Sequence, residues 1–254
     1  MHLDVSDLKG FYDLRLGQIA RQLIRKRIHE MWPSVKGQSV LGLGYATPYL
    51  RPFQGEAERV LAFMPAQQGV LAWPQEVGNL AALVEETDLP LPDASVDRVI
   101  LAHVLETSES LRPLLRQVWR VLTGNGRLIV IAPNRASLWA QIEMTPFGHG
   151  TPFSRVQLNR LLTDSLFTPL QFANSLYFPP FGARQLLRDG LRWEAIGSKV
   201  WPRFSGVVIA EATKQVYALA PDGGARRRVR SKPVLVPGSA VTQNASKEKL
   251  RLPQ

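Results

Sequence analysis

Two places in this chain carry residue types suited to chemistry. The segment Val40-Leu41-Gly42-Leu43-Gly44-Tyr45-Ala46-Thr47-Pro48 is an apolar run that ends in small residues. Small residues at a strand exit let the backbone approach a ligand closely, although glycines also serve ordinary tight turns. His103 follows a second apolar run, and His149 lies in Thr145-Pro146-Phe147-Gly148-His149-Gly150-Thr151-Pro152-Phe153. Imidazole exchanges protons near neutral pH, so both are candidates for acid–base work. A structural histidine at a strand end is the competing reading for His103. With His2 and His29 the chain has four histidines, none at metal-ligand spacing, and no cysteine. Disulfides, thiolate nucleophiles and sulfur-based zinc sites are excluded, and no metal is expected.

The elements that must position these residues alternate in type. Apolar runs at Ser39–Gly44, Arg59–Met64, Val96–Ala102 and Arg127–Ala132 read as buried strands, with a helix over Leu111–Leu122 and a turn at Thr123–Gly126. Strands alternating with helices imply a parallel sheet wound in right-handed βαβ units. Downstream, Ser154 caps a helix carrying Val156, Leu158, Leu161 and Leu162. A strand at Phe172–Tyr177, a helix at Gly182–Leu191 and a closing strand at Gly206–Ala212 complete the pattern. Upstream, residues 6–32 read as one amphipathic helix, capped by Asp4 or Ser6 and stopped by Pro33. Packing against the domain is the first reading for it, and a basic membrane-surface helix the second. The expected organisation is an N-terminal helix in 1–38, an α/β domain in 39–220 and a basic, disordered tail in 221–254.

The tail accounts for much of the charge. Residues 221–254 hold Arg226, Arg227, Arg228, Arg230, Lys232, Lys247, Lys249 and Arg251 against Asp222 and Glu248, six of the ten net positive charges. Charge therefore does not define the function of the folded part. Phosphate binding by the arginine-rich tail, and with it a nucleic-acid partner, is one reading; a merely solvated tail is the other. No apolar run reaches the roughly 18 residues of a membrane span and no secretory signal is evident, so a cytoplasmic location is expected.

Several blocks occur in one order. Leu89-Pro90-Leu91-Pro92-Asp93-Ala94-Ser95-Val96-Asp97 precedes the third of these strands, His103-Val104-Leu105-Glu106 follows it, and Trp119-Arg120-Val121-Leu122-Thr123-Gly124-Asn125-Gly126-Arg127-Leu128 leads into the next. With the glycine segment, these blocks resemble class I S-adenosylmethionine-dependent methyltransferases, closest to methyltransferase type 11, over residues 39–135. The resemblance implies a Rossmann-like fold with a mostly parallel, seven-stranded sheet and helices on both faces. It also implies S-adenosylmethionine as cofactor and methyl transfer to a small-molecule or lipid-like acceptor.

Carried over residue by residue, the resemblance places the cofactor against Gly42, Gly44, Tyr45, Ala46, Met64, Glu85, Thr87, Asp88 and Leu89. His103 and His149 are then the acid–base candidates, while Asn134 and Phe147 edge the acceptor site. The 145–153 loop is expected to overhang it as a shaped lid. The motif also departs from the family pattern. Gly42 stands where relatives carry an acid, Ala46 and Pro48 replace glycines, and Met64 falls where an acid normally binds the ribose. Tyr45, Tyr49 and Gln67 are the candidates to compensate. Loss of two charged hydrogen bonds, each worth roughly 1.5–3 kcal/mol, motivates the alternative of a non-catalytic binding or scaffold protein on the same fold.

Overall fold

Short apolar runs without a polar face become interior strands, and the alternation of their side chains assigns the two faces of the sheet. The computed structural model describes residues 3–74, 78–180 and 202–216 with positions 194 and 197. Its strands are β1 (Ser39–Gly44), β2 (Arg59–Pro65), β3 (Ala81–Val84), β4 (Val96–Ala102), β5 (Leu122–Pro133), β6 (Phe167–Ser175) and β7 (Val207–Lys214). They form one seven-stranded sheet in the order β3-β2-β1-β4-β5-β7-β6. The first five are parallel, and β7 runs antiparallel between β5 and β6. Chain order reverses between β1 and β4, so a crevice opens beyond their carboxyl ends.

On one face, Ile100 and Ala102 of β4 join Val40, Val60, Ile129 and the buried residues of two N-terminal helices. On the other, Val99 and Leu101 meet α4 (Leu111–Val121) and α5 (Arg155–Asp164). The hydroxyl and backbone of Ser154 and the side chain of Gln157 complete a capping box at the start of α5. Leu158 and Leu162 of that helix are buried, whereas Val156 is exposed.

The N-terminal segment differs from a single helix. It forms α1 (Val5–Asp13), capped by Asp4, and α2 (Arg15–Met31), with Leu14 extended between them at φ −70°, ψ 154°. Gly17 explains the fold-back: a Cβ there would lie 2.1 Å from the carbonyl oxygen of Phe11. The short β3, a four-residue apolar run on which Leu83 is exposed, was not among the expected strands. Residues 123–126, expected as a turn, are drawn into β5, whose pairing with β4 shifts register between Val96 and Arg98. The strand expected at Phe172–Tyr177 starts earlier, at Phe167, because β6 pairs with β7 along its length. The helix expected at Gly182–Leu191 and the 221–254 tail lie outside the described residues.

Glu211 on β7 is fully buried and ties these layers together. Its Oε1 accepts from Trp32 Nε1 at 3.0 Å and Arg127 Nη1 at 2.9 Å, and its Oε2 from Gln171 Nε2 at 2.6 Å. The acid is thus held by groups following α2, on β5 and on β6, as burial of a charge requires.

Two glycines separate packing from propensity. Gly17→Ala should lower stability by about 1–3 kcal/mol through overpacking. Gly10→Ala, on α1 with nothing within 4 Å of the added Cβ, should raise it by about 0.4–1 kcal/mol. Urea unfolding of both variants checks the opposite signs.

Candidate functional site

The crevice is shaped first by how β1 ends. Gly44 has φ +82°, and a Cβ there would stand 2.2 Å from the carbonyl oxygen of Ala102 on β4. Its missing side chain therefore serves the close approach of two strands. Gly42 is equally enclosed: its Cβ would lie 2.6 Å from Leu50 Cδ1 and 2.7 Å from Ala46 Cβ. Leu50 and Ala46 thus fill the space in front of the position where the family pattern carries an acid. Ala46 has ordinary αR angles (φ −89°, ψ −9°) and leads into α3 (Thr47–Leu50), with Pro48 in its first turn, where no N–H is required. Both replacements are accommodated without strain.

Beyond β4 the chain turns through His103 at φ 52°. His103 is 4% exposed, with Nδ1 3.2 Å from Glu106 Oε1 and Nε2 2.7 Å from the hydroxyl of Tyr12. That hydroxyl lies 2.6 Å from the hydroxyl of Tyr49 on α3. A carboxylate only accepts, so the network assigns the Nδ1 hydrogen to the Glu106 bond; neutral Nε2 then accepts from Tyr12, and Tyr12 from Tyr49. From the loop after β2, Gln68 Nε2 donates to the carbonyl of His103 at 2.8 Å. Gln68 Oε1 and Glu106 Oε2 are buried with no hydrogen-bond partner among the described residues.

Aromatic rings close the cluster. Tyr12 stacks on Tyr45 at 5.8 Å between centroids, and Phe147 stands 5.0 Å from the His103 ring and 5.6 Å from Trp139. The 145–153 loop is fastened over this point by Thr151 N–H donating to the carbonyl of Glu106 at 2.7 Å. It overhangs the β4 exit. Beside it, a cavity of about 180 Å³ opens between α2, α3, Met64 at the end of β2 and residues 71–73.

The expected residues separate into three groups. Gly42, Gly44, Tyr45, Ala46, Met64, His103 and Phe147 converge on the crevice. Glu85 and Asp88 bridge to one another and are exposed, while the neighbouring Glu86 is buried and accepts from Ser108 Oγ at 2.6 Å. The buried acid of that loop is therefore Glu86, with Leu89 buried and Thr87 half-buried beside it. Gln67 is likewise exposed and Gln68 buried. His149 hydrogen-bonds the carbonyl of Glu143 in its own loop at 2.8 Å. Asn134 donates to the carbonyls of Arg203 and Ser205 at 3.0 and 2.8 Å and accepts from Ala136 N–H, so its amide fastens the end of β5 to the 203–205 segment.

Sequence reasoning missed Tyr12, Gln68, Glu86 and Glu106. Only Glu106 had a local signal, three residues from His103 across a tight turn. Tyr12 was legible as a helix-face residue but not as a partner of His103, ninety-one positions away.

Comparison with known proteins agrees with this fold. Residues 41–130 match the family described as "Methyltransferase domain". Over this stretch the chain is similar to S-adenosylmethionine-dependent methyltransferases. A Mycobacterium tuberculosis protein, named a probable S-adenosylmethionine-dependent methyltransferase, is 29% identical over 143 residues, covering 54% of this chain and 52% of the relative. The chain thus spans about half the length of the curated relatives it matches. Among solved structures, an S-adenosylmethionine-dependent methyltransferase of Thermotoga maritima superposes with TM-score 0.60 at 15% identity, covering 83% of this chain and 96% of that one. One of Archaeoglobus fulgidus gives 0.55 at 18%, covering 76% and 94%. The cyclase SpnF shares the fold at TM-score 0.54 and 19% identity, covering 79% and 83%. The fold alone therefore does not decide the reaction. No helix among the described residues is long and apolar enough to cross a membrane.

Burial raises the pKa of both Tyr12 and Tyr49 above the ordinary 10.0. Their contribution to stability is complete below pH 10 and is lost as pH rises toward the folded-state values. Stability measured by urea unfolding should therefore fall from about pH 10 upward, more steeply in the native chain than in the Tyr12→Phe, Tyr49→Phe double variant.

Proposed function

We propose that this protein is an S-adenosylmethionine-dependent methyltransferase acting on a small-molecule or lipid-like acceptor. The observation that carries this reading is the buried polar cluster at the switch point, in which Gln68 Oε1 and Glu106 Oε2 lack partners among the described residues. Unpaired acceptors in a buried site cost free energy unless a ligand satisfies them. The cofactor offers an ammonium and a sulfonium, and two acceptors, one of them a carboxylate, suit that charge. They stand in for the acids absent at Gly42 and Met64, with the backbone of Gly44–Ala46 and the Glu86–Leu89 loop as the remaining wall.

The acceptor set fits the cofactor; the space fits only once α1 moves. Tyr12 fills the place above His103, and the remaining cavity of about 180 Å³ is below the roughly 300 Å³ at which pockets for drug-sized ligands begin. Displacing Tyr12 would open the volume and free Nε2 of His103, with Glu106 holding the imidazole in the tautomer that accepts a proton. His103 is then the general base of this reading and Phe147 part of the acceptor wall. Bound there, the cofactor supplies the activated methyl group; the protein supplies orientation and exclusion of water.

A second reading, a binding protein that keeps the fold without the reaction, is favoured by one observation. Leu50 and Ala46 occupy the space in front of Gly42. Calorimetry with S-adenosylmethionine and its demethylated product separates the two. Saturable binding supports the enzyme, and binding of neither at millimolar concentration overturns it. Glu106→Gln should weaken cofactor binding about tenfold or more, whereas Tyr12→Ala should strengthen it by emptying the site.

A further inference from the structure

The side chain that fills the crevice is itself a phenol, and it is held as a ligand would be. Tyr12 is 3% exposed. Its ring stacks on Tyr45 at 5.8 Å and 26°, and meets Tyr49 at 6.1 Å and 88° and His103 at 5.8 Å and 63°. Stacked and edge-on contacts at these separations are the favourable ones between aromatic rings. None of the framing rings belongs to α1. Tyr45 and Tyr49 lie in the β1–α3 segment, and His103 follows β4. The slot therefore keeps its rings when α1 is elsewhere.

Two atoms define what the slot recognises. His103 Nε2, 2.7 Å from the Tyr12 hydroxyl, takes a hydrogen, because Nδ1 keeps its own toward Glu106. The Tyr49 hydroxyl, 2.6 Å from the same oxygen, supplies one. The occupant must donate one hydrogen bond and accept another at a single atom. A carboxylate, a ketone or an ether has no hydrogen to donate. The lone pair of an aromatic amine is spread into its ring and accepts poorly. An aromatic hydroxyl does both.

We propose that Tyr12 occupies the acceptor subsite and that the acceptor is a phenol. Its ring lies in the slot of Tyr45, Tyr49 and His103, and its hydroxyl between His103 Nε2 and Tyr49. The helix α1, joined to α2 through the exposed, extended Leu14, carries Tyr12 out as the phenol enters. When the phenol oxygen becomes the nucleophile, its proton passes to Nε2 and the O–H electron pair stays on oxygen. Glu106 offsets the imidazolium charge. The inference rests on the methyl-transfer reading for the fate of that oxygen, whereas recognition of the phenol is tested without it.

The test is calorimetric titration of the full chain with p-cresol, toluene, 4-methylanisole and p-toluidine, each with and without the demethylated cofactor. Hydrogen exchange of the α1 amides accompanies it. p-Cresol should bind saturably to the native chain and speed exchange over Val5–Asp13. Toluene and 4-methylanisole should bind at least about tenfold more weakly, and p-toluidine more weakly than p-cresol. Tyr12→Ala should tighten p-cresol about tenfold or more, because the internal competitor is gone. Adding Tyr49→Phe to that variant should weaken it again about threefold or more. No saturable binding to the native chain at about 10 mM in either condition overturns the proposal. So does binding confined to Tyr12→Ala, which marks the ring as fixed packing, or binding that leaves α1 exchange unchanged. Toluene, 4-methylanisole or p-toluidine binding as tightly as p-cresol overturns it too. Should Tyr12→Ala fail to fold, the native titration and exchange decide alone. Cofactor binding without p-cresol binding refutes only the phenol subsite, and the converse refutes only the methyltransferase.

Discussion

The hydroxyl of Tyr12 holds three parts of this molecule in one arrangement. It joins α1 to Tyr49 on α3 and to His103 at the exit of β4. Besides that bond, α1 is held by its apolar contacts and by Val5 N–H donating to the carbonyl of Gln68 at 2.8 Å. Through the Tyr12 bond, the position of α1 and the state of His103 become linked, because the same hydroxyl that fills the crevice also saturates Nε2. Any ligand that enters above β1 and β4 competes with this chain's own tyrosine.

That competition explains why the site is both polar and closed. Gln68 and Glu106 bring acceptors that the rings of Tyr12, Tyr45 and Phe147 do not satisfy. The 145–153 loop is fastened over this network by Thr151 N–H and the Glu106 carbonyl.

The two sides of the β1–α3 connection carry opposite electrostatic characters. On the His103 side the buried ionisable partner is an acid, Glu106. On the α2 side the cavity is walled by guanidinium groups and floored by Met64, where the family pattern has an acid. Methionine in that place leaves no carboxylate there to accept from a ribose hydroxyl. Leu50 makes the matching change at Gly42, since its side chain closes the space a carboxylate would need.

The amino-acid sequence by itself determined β1, β2, β4, β5 and β7 with α4 and α5 in their chain order, the capping of α5 by Ser154 and the glycine at Gly44. These are local properties: periodicity, caps and turn residues act over a few positions. It also determined which acids are missing, because absence at a motif position is visible in one dimension. The break of the N-terminal helix at Leu14, the inward turn of Glu86 and Gln68 in place of Glu85 and Gln67, and the Tyr12–His103 contact were decided only by the tertiary structure. Each depends on what stands opposite: Phe11 across from Gly17, Ser108 across from Glu86, a helix from the start of the chain across from the end of β4. A pattern along the chain tells which residues are suited to be buried, but burial against a particular partner is a property of the packed whole.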